Sequence, residues 1–308
     1  MNETEPLMGV FTEDPATKMP IGSTIQLRHI DVIYEGKENP AVLSNWTTFN
    51  GVLLAICLKS ADSVRIVGSA AMVAPGIAVY AHHVVESILR AVVSGDPAAY
   101  CFGLAPSGIQ IWKARKITHI KDTDLGIIGL ERASNFEPGE TLYQSKVTTR
   151  LPKVGEDLLI CGFRAASSDF GANATEFAGR VIVSRGAISA RYPFGRDSVM
   201  MPWPCVEVSC SSFGGMSGGP VYDKHGRLVG VLSSSIGDSI GGNPSYVSLI
   251  WPALITKFDG GWPPGLIKER SRLVDLDPAL CGIDKPQALN EHIDPLTGDI
   301  LVEYRPWE

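Results

Sequence analysis

With 308 residues, 44% of them hydrophobic and 19% charged, the chain is long enough for one large domain or two small ones and has the composition of a globular protein with a substantial core. A net charge of -6 without any Lys/Arg-rich run argues against a nucleic-acid partner bound by phosphate neutralisation. No apolar run approaches the roughly 18 residues that cross a bilayer, so no membrane association is expected.

The acidic start, Met1 to Pro6, has no basic stretch ahead of an apolar core, so no secretory leader is expected. Residues 1–40 are rich in Pro, Glu, Asp, Thr and Gly. They predict an N-terminal arm, disordered over its first ~20 residues, with one candidate strand at 23–33. A first unit, 41–135, offers strands at 51–58, 64–73 and 77–81, the last two joined by Ala74-Pro75-Gly76. One or two helical turns at 82–90 come next, then strands at 100–104, 109–114 and 116–120. Asp122-Thr123-Asp124 then stands at the mouth of the apolar run 125–130.

A polar stretch containing Pro138-Gly139 opens a second unit, 136–259. Its predicted strand at 158–163 is followed by a small-residue loop at 164–173 and two strand pieces around Gly186. Further strands are expected at 205–210, 221–222, 228–232 and 245–250, with a hairpin turn at Asp223-Lys224-His225-Gly226 and a short helix at 251–258. Residues 260–308 form a C-terminal extension with a terminal hairpin around 294–299. Either extension could receive a regulatory partner. The six cysteines are dispersed, with no C-x-x-C or Cys/His cluster, so no metal and no cofactor is expected. Most sit in apolar runs as small hydrophobes, which predicts reduced thiols and a cytoplasmic location.

The stretch Phe213-Gly214-Gly215-Met216-Ser217-Gly218-Gly219-Pro220 places one serine among small residues between two apolar runs. Glycines let backbone N–H groups converge on one point, and such a concavity beside a hydroxyl can stabilise an oxyanion. Read alone, the stretch is equally a Gly-rich turn with an exposed serine. A weak serine nucleophile also needs a base, and the base an orienting acid. His83 and Asp124 have suitable settings, whereas His29, His119, His225 and His292 read as structural.

Three segments occur in the order Tyr80-Ala81-His82-His83-Val84, Asp124-Leu125-Gly126-Ile127-Ile128 and Gly215-Met216-Ser217-Gly218-Gly219-Pro220. With them, residues 45–258 resemble the trypsin/chymotrypsin-like serine peptidase superfamily, in style the bacterial high-temperature-requirement proteases. The resemblance implies an all-β fold of two six-stranded Greek-key β-barrels with the active site in the cleft between them. It also implies a serine endopeptidase that hydrolyses peptide bonds of a protein or peptide substrate through an acyl-enzyme. Ser217 matches the nucleophile, His83 the general base and acid, Asp124 the orienting carboxylate, and the N–H groups of Gly215 and Ser217 the oxyanion hole. His82 and Asp122 are near neighbours of the same types; the apolar residues directly after His83 and Asp124 favour the latter pair. Met216 stands where secreted members carry an aspartate that receives a newly cut N-terminus, so no such activation step is expected.

The same resemblance puts the base of the primary pocket at Ser211, with Ser212 beside it, and a further wall at Ser233, Ser234 and Ser235, a strand that would also pair with substrate backbone. Without an acid at the base, the expected preference is for a small or medium uncharged residue rather than Lys or Arg, unless Phe213 fills the pocket. Two other classes stay open: a latent, trypsin-like binding module with a collapsed oxyanion hole, and an effector peptidase switched on by a partner.

Overall fold

Short apolar runs punctuated by Gly and Pro can satisfy their backbone N–H and C=O groups only by pairing with one another. The computed structural model describes residues 23–43, 46–60, 64–95, 97–137, 139–165, 179–235, 244–293, 295 and 300–308. Two short strands come first, β1 (Gln26–Ile30) and β2 (Ala41–Leu43). The next six are β3 (Leu53–Lys59), β4 (Val64–Ala74), β5 (Ile77–Tyr80), β6 (Ala98–Ala105), β7 (Gly108–His119) and β8 (Gly126–Arg132). They close into an antiparallel barrel in the order β3-β4-β5-β8-β7-β6. After β9 (Thr141–Ser145) and β10 (Val147–Thr148) come β11 (Asp157–Ala165), β12 (Gly179–Tyr192), β13 (Cys205–Ser209), β14 (Pro220–Tyr222), β15 (Leu228–Ser235) and β16 (Ser245–Leu249). The pairings β14-β11-β12-β13-β16-β15, completed by β14 with β15, make a second closed barrel. The fold is all-β with two six-stranded barrels.

Several local expectations change. The segments 109–114 and 116–120 form the single strand β7, bent by a bulge between Ala114 and Lys116. The pieces around Gly186 are likewise one strand of 14 residues, β12, irregular only between Ile188 and Ala190. A bulge breaks the two-residue alternation without ending the pairing, so it reads as a strand end in sequence. His82–Val84 make one tight turn that leads into α1 (Val85–Ser94), longer than one or two turns. Gly95 stops α1 in the left-handed conformation, its N–H on the carbonyl of Ala91. The short second-unit helix appears as α2 (Trp251–Ile255).

Both ends are docked where described. β1 pairs in parallel with β9, from Gln26 opposite Thr141 to Ile30 opposite Ser145. Val32 is buried and donates its N–H to Gly226 O at 2.8 Å. Asn39 grips the backbone of Arg185, its Nδ2 donating to the carbonyl and its Oδ1 accepting the N–H. The expected disorder of the first ~20 residues lies outside the described residues. In the C-terminal extension, Trp262 packs edge-on against Trp112 and tilts against Phe136. β17 (Ile283–Asp284) pairs with β10, and Gly282 donates its N–H to His29 Nε2 at 2.8 Å. The terminal hairpin consists of β18 (Leu289–Ile293) and β19 (Ile300–Tyr304); residues 294 and 296–299 of its loop lie outside the described residues. Tyr304 and Trp307 both bond to Thr149, so the extension packs back on the core.

Two buried charge clusters hold segments beside the barrels. Arg132 meets Glu140, and Arg150 meets both Glu156 and Asp223. All six cysteines are free, and five are buried. Burial pushes the thiols of Cys101 and Cys281 up to about 12 and that of Cys210 up to about 11, and it raises Cys57 and Cys161 as well. Among the described residues, no helix is long and apolar enough to cross a membrane.

Candidate active site

Strand register brings the first two site residues together. β5 and β8 are antiparallel with Tyr80 opposite Gly126, so the residues after Tyr80 meet those before Gly126. The turn after Ala81 swings His83 over Asp124. Thr123 shapes the other side: its hydroxyl donates to Ile120 O at 2.7 Å and accepts the N–H of Leu125 at 3.2 Å. Asp124 is buried, and its Oδ1 accepts the backbone N–H of His83 at 2.9 Å. Its two oxygens stand 3.2 and 3.0 Å from His83 Nδ1, while the imidazole keeps 46% of its surface exposed. The hydrogen bond to Asp124 raises the pKa of His83 above 6.5 against the opposing effect of burial. His82 stands apart, stacked on His119 with ring centroids 3.7 Å apart, and Asp122 is exposed beside Lys121.

The serine loop connects β13 to β14. Met216 donates its N–H to Phe213 O, Gly219 to Met216 O, and Gly218 to Leu232 O of β15, at 2.8 to 3.0 Å. Gly215 and Gly218 have φ of +92° and +80°, which favours glycine at both. At Gly218 space adds to the requirement, since a Cβ there would lie 2.2 Å from Ser69 O and 2.9 Å from Ala81 N. The loop is therefore seated on β4 and on the residue two before His83. Met216 is fully buried in the second barrel's core, and Ser217 is half-buried. The N–H groups of Gly215 and Ser217 donate to no acceptor among the described residues, although those of Met216, Gly218 and Gly219 do. Likewise, no hydrogen bond joins Ser217 to His83 among them.

The residues expected to form the specificity pocket are placed differently from one another. Ser212 shares a hydrogen bond with Ser245 at 2.9 Å, and Ser245 also donates to Cys210 O. Ser211 lines a cleft of about 400 Å³ with Asn39, Arg185, Glu207 and Cys210. Phe213 packs on the second barrel's core beneath the guanidinium of Arg164, 4.8 Å from its ring centre. Ser235 pairs with Ser245 in the sheet, and its side chain lies outside the described residues. The hydroxyl of Ser233 is buried and donates to Asp124 Oδ2, so its side chain serves the acid and only its backbone is left to line a wall. The sequence carries no local sign of this bond, because Ser233 and Asp124 are 109 residues apart and sit in different barrels. Ser69, in β4, was not legible as a site residue either. Among the described residues no group of three or more His, Cys, Asp or Glu side chains could hold a metal ion.

Residues 68–231 match the family model of the trypsin-like peptidase domain. The chain belongs to the trypsin-like peptidase family. The match begins in β4 and ends in β15, so His83, Asp124 and Ser217 all fall inside it. No curated protein matches the chain. Among solved structures it is similar to the MamO protease domain from Magnetospirillum magneticum in its apo form, at 16% identity and a TM-score of 0.45, over 68% of this chain and 95% of that one. It is also similar to the active form of the Rv3671c protease from M. tuberculosis, at 14% identity and a TM-score of 0.45, over 80% of this chain and 87% of that one.

Proposed function

We propose that this trypsin-like peptidase is a serine endopeptidase that cleaves peptide bonds through an acyl-enzyme. The observation that carries the reading is the His83–Asp124 pair beside the serine loop, which rests on the strand leading to that histidine. Ser217 Oγ attacks the substrate carbonyl carbon, and its proton passes to His83 Nε2. Asp124 keeps the Nδ1 proton on its own side, which leaves Nε2 as the acceptor. The tetrahedral oxygen carries negative charge and is received by the N–H groups of Gly215 and Ser217. That role is supported by the absence of any other acceptor for them among the described residues. His83 returns the proton to the leaving amine, and water, activated by the same imidazole, then releases the acyl group from Ser217.

Ser211 and Ser212 are uncharged, and Ser212 is tied to Ser245, which supports a preference for a small or medium uncharged residue before the scissile bond. Met216, apolar and buried, offers no carboxylate to a newly cut N-terminus, which supports a peptidase that needs no such activation. Six free thiols support a reducing, cytoplasmic setting.

Fluorophosphonate labelling tests the reading. Wild-type protein is expected to label, whereas folded Ser217→Ala and His83→Ala are not. A folded wild type that fails to label would overturn the endopeptidase reading and leave a latent binding module.

The pH profile gives a second check. Catalysis needs neutral His83, and Asp124 raises its pKa, so kcat/KM is expected to climb with pH through a midpoint above 6.5. A flat profile from about pH 5 to 8 would exclude a histidine base. Stability has the opposite sign. A histidine with a raised folded pKa stabilises the fold fully below about pH 6.5, and that contribution fades as pH rises through the folded value.

A further inference from the structure

We propose that Ser69 is a positioning residue that holds the oxyanion-binding turn of the serine loop in place from the first barrel. The inference deepens the serine-peptidase reading and rests on it. Ser69 lies in the middle of β4, within an otherwise apolar stretch, and is fully buried. A hydroxyl there must find partners or destabilise the fold. Its two partners both belong to the second barrel. Ser69 Oγ accepts the backbone N–H of Phe163 in β11 at 2.9 Å and donates to the carbonyl of Gly215 at 2.9 Å. The Ser69 backbone adds a third bond, its N–H donating to Ser217 O at 2.8 Å, and the Ser69 carbonyl closes against Gly218.

Ser69 thus grips the carbonyls of Gly215 and Ser217, the two residues whose N–H groups would receive the oxyanion. Met216, buried in the second barrel's core, and the Gly218 N–H on Leu232 O hold the turn to the second barrel, while the bonds of Ser69 tie it to β4. Gly214 and Gly215 have no side chains, and nothing lies within 4 Å of a Cβ built on Gly214. Within the turn itself, the Met216 N–H to Phe213 O bond closes the chain on itself but does not locate it against β4. The hydroxyl of Ser69, together with its backbone N–H on Ser217 O, supplies that location, and with it the distance between the oxyanion donors and the strand that leads to His83. Donors that stray from the developing charge lose their effect, so a displaced turn slows the chemistry more than it weakens substrate binding.

The test compares Ser69→Ala with Ser69→Cys, which has nearly the volume of serine but is a weak donor and keeps the strand packed if the alanine variant does not fold. In the folded variant, kcat is expected to fall about 10- to 100-fold with KM little changed. The acidic limb of the pH profile should stay in place, because Ser69 touches neither His83 nor Asp124. Amide hydrogen exchange should rise over residues 211–219, where the N–H groups of Met216, Gly218 and Gly219 are hydrogen-bonded, and not throughout the first barrel. Wild-type kcat together with wild-type exchange at 211–219 would overturn the proposal. So would a lower kcat accompanied by a shifted pH limb or by faster exchange throughout the first barrel, since either marks a general packing defect. The exchange measurement needs no turnover, so a wild type that fails to label with fluorophosphonate would overturn the peptidase reading while the anchoring of the turn is still decided by exchange.

Discussion

Replacing Asp124 with asparagine is expected to lower kcat about 10,000-fold and leave the fold intact. The carboxylate accepts the backbone N–H of His83, faces His83 Nδ1 with both oxygens, and receives the Ser233 hydroxyl. Asparagine can keep the first of these bonds with its oxygen. Its amide then points at Nδ1 as a donor and drives the imidazole proton to Nε2, the atom that takes the proton of Ser217 in the proposed mechanism. The Ser233 hydroxyl can rotate to accept from the same amide, so no buried group is left unpaired. Steady-state kinetics with circular dichroism on the same sample would check the expectation. A loss smaller than about tenfold would mean that Asp124 does not set the tautomer, and would remove it from the catalytic assignment.

Glu140→Ala is expected to destabilise the protein by about 3–5 kcal/mol, a large share of the stability of an ordinary domain. Arg132 and Glu140 are buried, with 2% of each side chain exposed, and are joined by two bonds of 2.9 and 3.1 Å. Glu140 also accepts from Gln110 Nε2 and from the N–H of Glu137. The guanidinium lies against the faces of Trp112 and Phe136, so no water would replace the lost carboxylate. Burial already lowers the pKa of Arg132, and Glu140 is what holds it up. Removing the acid leaves a cation in an apolar setting. Urea unfolding would read the effect as a shift of midpoint at constant slope. A change below about 1 kcal/mol would mean that solvent reaches Arg132. The double change Arg132→Met with Glu140→Leu should recover most of the loss, because an apolar pair of similar size avoids the desolvation of both charges.

The serine loop, the histidine turn and the acid before β8 were legible because each is a short run whose chemistry and spacing are local. The barrel strands were legible for the same reason, through apolar runs between Gly and Pro turns. β7 was split because a bulge breaks the alternation from which a strand is recognised, and β12 because Gly186 reads as a break although the pairing with β11 runs straight through it. Strand β1 and the terminal hairpin were legible too, but where these ends dock gave no local signal. β1 is held by β9, 115 residues further along, and Trp262 by Trp112, and a polar segment with one apolar face looks the same whether or not it finds such a partner. The roles of the Ser69 and Ser233 hydroxyls were missed on similar grounds. A serine inside an apolar strand carries its meaning in what lies across the barrel interface, Gly215 for one and Asp124 for the other.

The buried thiols give the molecule its own set of clocks. A cysteine is alkylated as the thiolate, so a thiol that is both buried and raised in pKa reacts only when its surroundings come apart. Cys57 and Cys101 report on the first barrel, Cys161 and Cys205 on the second, and Cys281 on the C-terminal extension, while Cys210 is partly open in the folded state. Pulsed alkylation with peptide mass mapping would therefore show which part of the protein loosens first, without a single substitution. If Cys281 reacts ahead of the other buried thiols, the extension detaches from a core that is still folded; if all five react together, the extension and both barrels share one cooperative transition.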